Sequence, residues 1–137
     1  MSIQTHYTFG TRVPRPLDEV RPGVEAALRA EGFGVLTEID VAATMRVKLG
    51  VERPPYLILG ACNPSLAHRA LESDPSVGAL LPCNVVLRED SDGTIVEAMD
   101  PSAVIALAEA PEVRLVAAEA RERLVRVIAA LSTEGNP

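Results

Sequence analysis

Leu81-Pro82-Cys83-Asn84-Val85-Val86-Leu87-Arg88-Glu89-Asp90-Ser91-Asp92-Gly93-Thr94-Ile95-Val96-Glu97-Ala98-Met99 is the stretch on which the fold turns. Two runs rich in β-branched residues flank Glu89-Asp90-Ser91-Asp92-Gly93, whose acidic, serine and glycine residues favour tight reversal of the chain. The spacing predicts an antiparallel hairpin. Upstream, Tyr56-Leu57-Ile58-Leu59-Gly60-Ala61-Cys62 is almost continuously apolar and reads as a strand buried on both faces. Phe33-Gly34-Val35-Leu36-Thr37-Glu38-Ile39 reads as another strand, and Gln4 to Val13, with Tyr7, Phe9, Thr11 and Val13 alternating, as the first.

Between these strands the apolar spacing changes to that of helices. Leu17, Val20, Val24, Ala27 and Leu28 make a helical stripe closed by Gly32, with Pro22 either kinking the helix or marking where its regular part begins. Asp40 caps a short helix from Val41 to Leu49, whose expected inner face is Val41, Met45 and Leu49. Asn63-Pro64 and Asp100-Pro101 start two more short helices, the first running through Leu71 and the second to about Ala108, and Asp74-Pro75 starts a brief turn, because proline at the first helical position gives up an amide that has no partner anyway. The longest helix runs from Glu112 to Leu131, with Val113, Val116, Ala117, Ala120, Leu124, Val127, Ile128 and Leu131 as its core stripe. Residues 132–137 read as a frayed tail. The expected architecture is α+β: a two-layer sandwich with a mostly antiparallel five-stranded sheet and helices on one face, all within a single domain spanning 1–137.

Composition narrows the function. A net charge of −6 repels phosphate backbones and anionic membrane surfaces, and the 3% aromatic content leaves few side chains to stack on bases, so no nucleic acid is expected as a partner. No stretch is long and apolar enough to span a bilayer, and the amino terminus has no leader pattern, so a soluble, cytoplasmic protein is expected. Arg outnumbers Lys twelve to one and Asn plus Gln number four, which fits a high-GC genome and a thermophile equally. No phosphate loop, dinucleotide fingerprint, Ser-His-Asp order or paired-carboxylate motif is present, and no cofactor is expected.

The residues that could carry chemistry are few. Cys62-Asn63 and Cys83-Asn84 each stand at a strand boundary, and antiparallel pairing of their strands would bring the thiols to one end of the sheet. Two readings stay open for them: reduced, buried, structural residues, or a reactive pair in which Cys62 gains acidity from the helix starting at Asn63-Pro64. His68 follows Cys62 at a spacing that matches no common zinc motif, and no fourth ligand is evident, so no metal is expected. Asp40, Lys48 and Glu38 form a second cluster, in which Lys48 is the only lysine of the chain.

Gly32-Phe33-Gly34-Val35-Leu36-Thr37-Glu38-Ile39-Asp40, Lys48-Leu49-Gly50, Tyr56, Leu59-Gly60-Ala61-Cys62-Asn63-Pro64, Ala67-His68 and Leu80-Leu81-Pro82-Cys83-Asn84-Val85-Val86 together resemble the family catalogued as domain of unknown function 302. The likeness spans the chain from about the first strand to Asp100-Pro101. It implies a β-α-β(4)-α sandwich similar to the TATA-binding-protein-like group, and no established activity. The expected function is that of a small-ligand or partner-binding domain, a homodimer through the uncovered face of its sheet, with a site built around Asp40, Lys48, Cys62, Asn63, His68, Cys83 and Asn84. The alternative is a thiol-dependent redox or transfer enzyme using Cys62 and Cys83, with Cys83 as the resolving partner.

Overall fold

The computed structural model describes residues 2–134. Its strands are β1 (Ser2–Gln4), β2 (Thr8–Val13), β3 (Gly34–Asp40), β4 (Tyr56–Cys62), β5 (Cys83–Asp90) and β6 (Gly93–Met99). The helices are α1 (Leu17–Ala30), α2 (Val41–Leu49), α3 (Pro64–Ser73), α4 (Pro101–Val104) and α5 (Pro111–Glu134), with 3₁₀ turns at Pro75–Leu80 and Ile105–Leu107. All six strands join one antiparallel sheet in the order β1-β2-β6-β5-β4-β3.

The sheet has six strands rather than five because the expected Gln4–Val13 strand is regular only from Thr8, and Ser2–Gln4 ahead of it forms a strand of its own. The Thr5 hydroxyl accepts from the amides of Tyr7 and Thr8, and the Thr5 amide donates to the Thr8 carbonyl. This local turn, which the threonine hydroxyl supports by bonding nearby amides, folds Ser2–Gln4 back along Thr8–Val13. The β5–β6 hairpin follows the expected reversal, with Asp90 accepting from the Asp92 amide at its tip.

α1 and α5 lie across one face of the sheet, and α3 packs on α5. Phe9 and Val13 of β2, Leu57, Leu59 and Ala61 of β4, Val85 and Leu87 of β5, and Val96 and Ala98 of β6 meet Val20, Val24, Leu28, Leu124, Val127 and Leu131 in one buried core. Burial of such side chains, at ~25 cal/mol per Å² of apolar surface, is the main term holding the two layers together. Helix α1 is continuous from Leu17 across Pro22, and its first amide, on Leu17, is satisfied by the Glu89 carboxylate of β5. Helix α5 continues three residues past Leu131, where the Ser132 hydroxyl donates to the Ile128 carbonyl, so the expected tail begins later. The remainder of that tail, 135–137, lies outside the described residues.

Two expectations need correction. Helix α2 buries none of its residues, and Leu49, expected on an inner face, is 69% exposed. Val41 and Met45 of the expected stripe are half-buried, but the stripe runs off the core at Leu49, because α2 meets the sheet near its edge, at β4, and is held by its Asp40 cap and a left-handed Gly50. The far face of the sheet is not bare either. Glu97 is 8% exposed, salt-bridged to Arg88 at 2.8 Å and accepting from the Thr8 hydroxyl at 2.9 Å. It lies over Gly10, where a Cβ would come within 2.9 Å of the Glu97 backbone and 2.1 Å of the Val96 carbonyl oxygen. Ile95 is flanked on this face by Arg12 and Arg88, directly opposite it on the neighbouring strands, and is buried. Their long aliphatic stems can cover apolar surface while the charges stay in water. What remains half-exposed is the end of the face near β3: Tyr56, Ile58 and Val86.

Candidate functional site

Antiparallel pairing of β4 with β5 sets Ala61 opposite Cys83, one residue from Cys62. Cys83 sits on the helix-covered face and is buried, whereas Cys62, at the last position of β4, is half-buried. Both line an apolar cavity of about 30 Å³ between the sheet end, α3 and α5. Phe33, Leu66 and Ala70 form part of its wall, and Val116 and Ala120 of α5 close it below. Asn63 stands at its rim, its side-chain oxygen accepting from the Leu66 amide at 3.3 Å to cap α3. Its other side is packed by Pro82, which also lies over Gly60: a Cβ there would fall 2.8 Å from the proline ring and 2.2 Å from the Thr37 hydroxyl.

The electrostatics of the two thiols oppose the expectation that Cys62 gains acidity. Burial pushes the Cys62 thiol up, and Cys83, more deeply buried and next to Cys62, is pushed up to about 11. The start of α3 offers the sulfur little, because Pro64 has no amide hydrogen, the Leu66 amide is taken by Asn63, and that of Ala67 donates to the Asn63 carbonyl. The pair is therefore neutral at physiological pH. Alkylation by iodoacetamide at pH 7.5 is expected to be slower than for a free thiol and to favour Cys62 through its exposure. Cys62→Ser should remove most of the label. Cys83→Ser should leave most of it and lower stability by about 1 kcal/mol through a hydroxyl placed in an apolar wall. Faster labelling of Cys83 would contradict this geometry.

The remaining candidates do not join this site. His68 is exposed on α3 and absent from the cavity wall, and Asn84 is exposed on the far face opposite Gly60. Asp40 pairs with Leu57 at the other end of β4, whereas Gly34 pairs with Cys62, so five residues of strand, about 17 Å, separate the two ends. Among the described residues, no three potential metal-ligating side chains come together.

Around Asp40 lies a second, polar groove of about 320 Å³ between α1 and α2. Arg21 grips Glu38 through two hydrogen bonds, at 2.8 and 2.5 Å, and also pairs with Glu25; this holds the Glu38 carboxyl below its usual range. Arg46 and Arg53 border the same groove, Arg53 stacked over the Tyr56 ring at 4.9 Å. Lys48 is exposed on α2 and does not line it. Sequence reading missed both Arg21 and the α5 wall of the apolar cavity. The one signal for the latter was small residues at helical spacing, Ala67 and Ala70 on α3 facing Ala120 on α5.

Comparison with known proteins agrees with this architecture. An uncharacterized conserved protein DUF302 from Bacillus stearothermophilus, known from its crystal structure, superposes with a TM-score of 0.81 at 30% identity, covering 90% of this chain and 95% of that one. An uncharacterized protein of Aquifex aeolicus (strain VF5) is 28% identical over 80 residues, which is 58% of this chain and about half, 49%, of the relative's length. The model of the family described as domain of unknown function DUF302 matches residues 9–131, and the chain belongs to that family.

Proposed function

We propose that this chain is a small-ligand-binding domain that works as a homodimer, with the ligand held at the Cys62–Cys83 end of the sheet. The observation that carries the reading is the cavity itself, an apolar recess lined by both thiols and rimmed by Asn63. Apolar recesses with a few polar groups at the mouth are the usual form of ligand sites, and apolar cavities stay dry and accept small apolar guests. At about 30 Å³ it admits only the tip of a ligand, such as a short branched alkyl group, while Asn63 can hydrogen-bond a polar head. The free thiols fit a reducing compartment such as the cytoplasm. Binding is favoured over thiol catalysis because burial keeps both sulfurs protonated, and the thiol is a far weaker nucleophile than the thiolate.

The test is amide chemical-shift mapping during titration with isobutanol. Shifts should concentrate on Cys62, Leu66, Ala67, Cys83 and Ala120, and Ala120→Val, which adds two methyl groups to the cavity floor, should abolish them while leaving the fold intact. Asp40→Ala and Lys48→Ala should leave them unchanged. Shifts centred on the groove at Arg21 and Asp40, or none at saturating alcohol, would overturn the reading.

A further inference from the structure

Six of the eleven most exposed large apolar side chains among the described residues fall within 17 consecutive positions: Val35, Leu36, Ile39, Val47, Leu49 and Val51. They belong to β3, α2 and the loop that follows. Strand β3 is the last of the sheet, bonded only to β4, and all seven of its residues are exposed. Its outer edge therefore presents unpaired backbone donors and acceptors, the arrangement that invites another strand. The opposite edge, β1, has only three residues to offer. The bulge between Val35 and Thr37 turns Leu36 out at 66% exposure and leaves Thr37–Asp40 as the regular segment.

We infer that β3 and α2 form the surface on which a second copy of this chain docks, edge to edge. The inference rests on the homodimer reading above and gives it a location. Antiparallel pairing of β3 with itself about a two-fold axis is an isologous contact, continues the antiparallel order of the sheet, and closes both exposed edges at once. Charge supports the same occupant. Residues 34–53 hold three acids, Glu38, Asp40 and Glu52, and three bases, Arg46, Lys48 and Arg53, so the arm carries none of the chain's net −6. Against a chain of net negative charge, this arm meets its own copy without net repulsion and offers both signs to it. The outer residues of α2, Val47 at 78% exposure above all, would then be covered by the partner rather than by the chain's own core.

Sedimentation equilibrium of the full chain between 5 and 100 µM tests this together with four variants. The wild type is expected to be a dimer. Ile39→Lys and Val47→Lys, both at exposed positions with no core packing to lose, should each weaken dimerisation by about 30-fold or more, with unchanged circular dichroism. Leu107→Lys and Leu115→Lys, equally exposed but off the arm, should leave it intact. A wild-type monomer at 100 µM would sink the homodimer reading itself. A wild-type dimer that survives both arm variants, or that dissociates with the control variants, would overturn the location alone.

Discussion

Leu59→Ala is expected to lower stability by about 3–4 kcal/mol and the melting temperature by on the order of 10–15 °C. Leu59 is fully buried at the middle of β4, between Glu38 of β3 and Val85 of β5, in the one layer where sheet and helices meet. Removing its isobutyl group deletes transfer energy and leaves a void that flanking strands, fixed by hydrogen bonds on both sides, cannot close. Leu107→Ala is the matched control. Leu107 is 73% exposed, and its truncation should change stability by less than about 0.5 kcal/mol. Thermal unfolding followed by circular dichroism separates the two outcomes.

Arg88→Met carries the second large effect, expected at about 2–3 kcal/mol. The Arg88 guanidinium donates through Nε and Nη2 to one Glu97 oxygen, while the other oxygen accepts from Thr8. Glu97 is buried, so without Arg88 a carboxylate is left in a desolvated place with one neutral partner. The double variant Arg88→Met/Glu97→Met should therefore be more stable than Arg88→Met alone, since two apolar side chains replace the pair and nothing charged is stranded. Urea unfolding of the two variants checks this, and a double variant less stable than Arg88→Met would show that the pair holds the far face by packing rather than by charge.

The parts of the fold that could be read from the chain are those where local chemistry and burial agree. In the β5–β6 hairpin, turn residues and alternation point the same way, and Val85, Leu87, Val96 and Ala98 do face the core. The α5 stripe from Val113 to Leu131 is buried for the same reason. Reading failed where the deciding contact is not written in periodicity. Thr5 breaks the first strand through a hydroxyl that alternation does not register. The repeat of Val41, Met45 and Leu49 is a correct helical stripe that is half-buried at Val41 and Met45 and runs off the core at Leu49. Grouping Asp40 and Lys48 with Cys62 failed because the register of β3 on β4, which puts Asp40 beside Leu57, is fixed only once the strands pair. The acidity expected of Cys62 depended on free amides, and Asn63 and Pro64, the very residues that signal the helix start, leave few of them.

What joins these observations is a neutral, apolar recess at the Cys–Asn end of the sheet, which the proposed function takes as the seat of a guest. A crystal of the protein held under xenon pressure tests this most directly, because xenon enters apolar cavities without needing a chemical handle. Xenon density is expected between Cys62, Leu66, Cys83 and Ala120, with both sulfurs unmodified and the surrounding backbone unmoved. Density elsewhere and none at this position, or a recess filled by ordered water bonded to the thiols, would contradict the account.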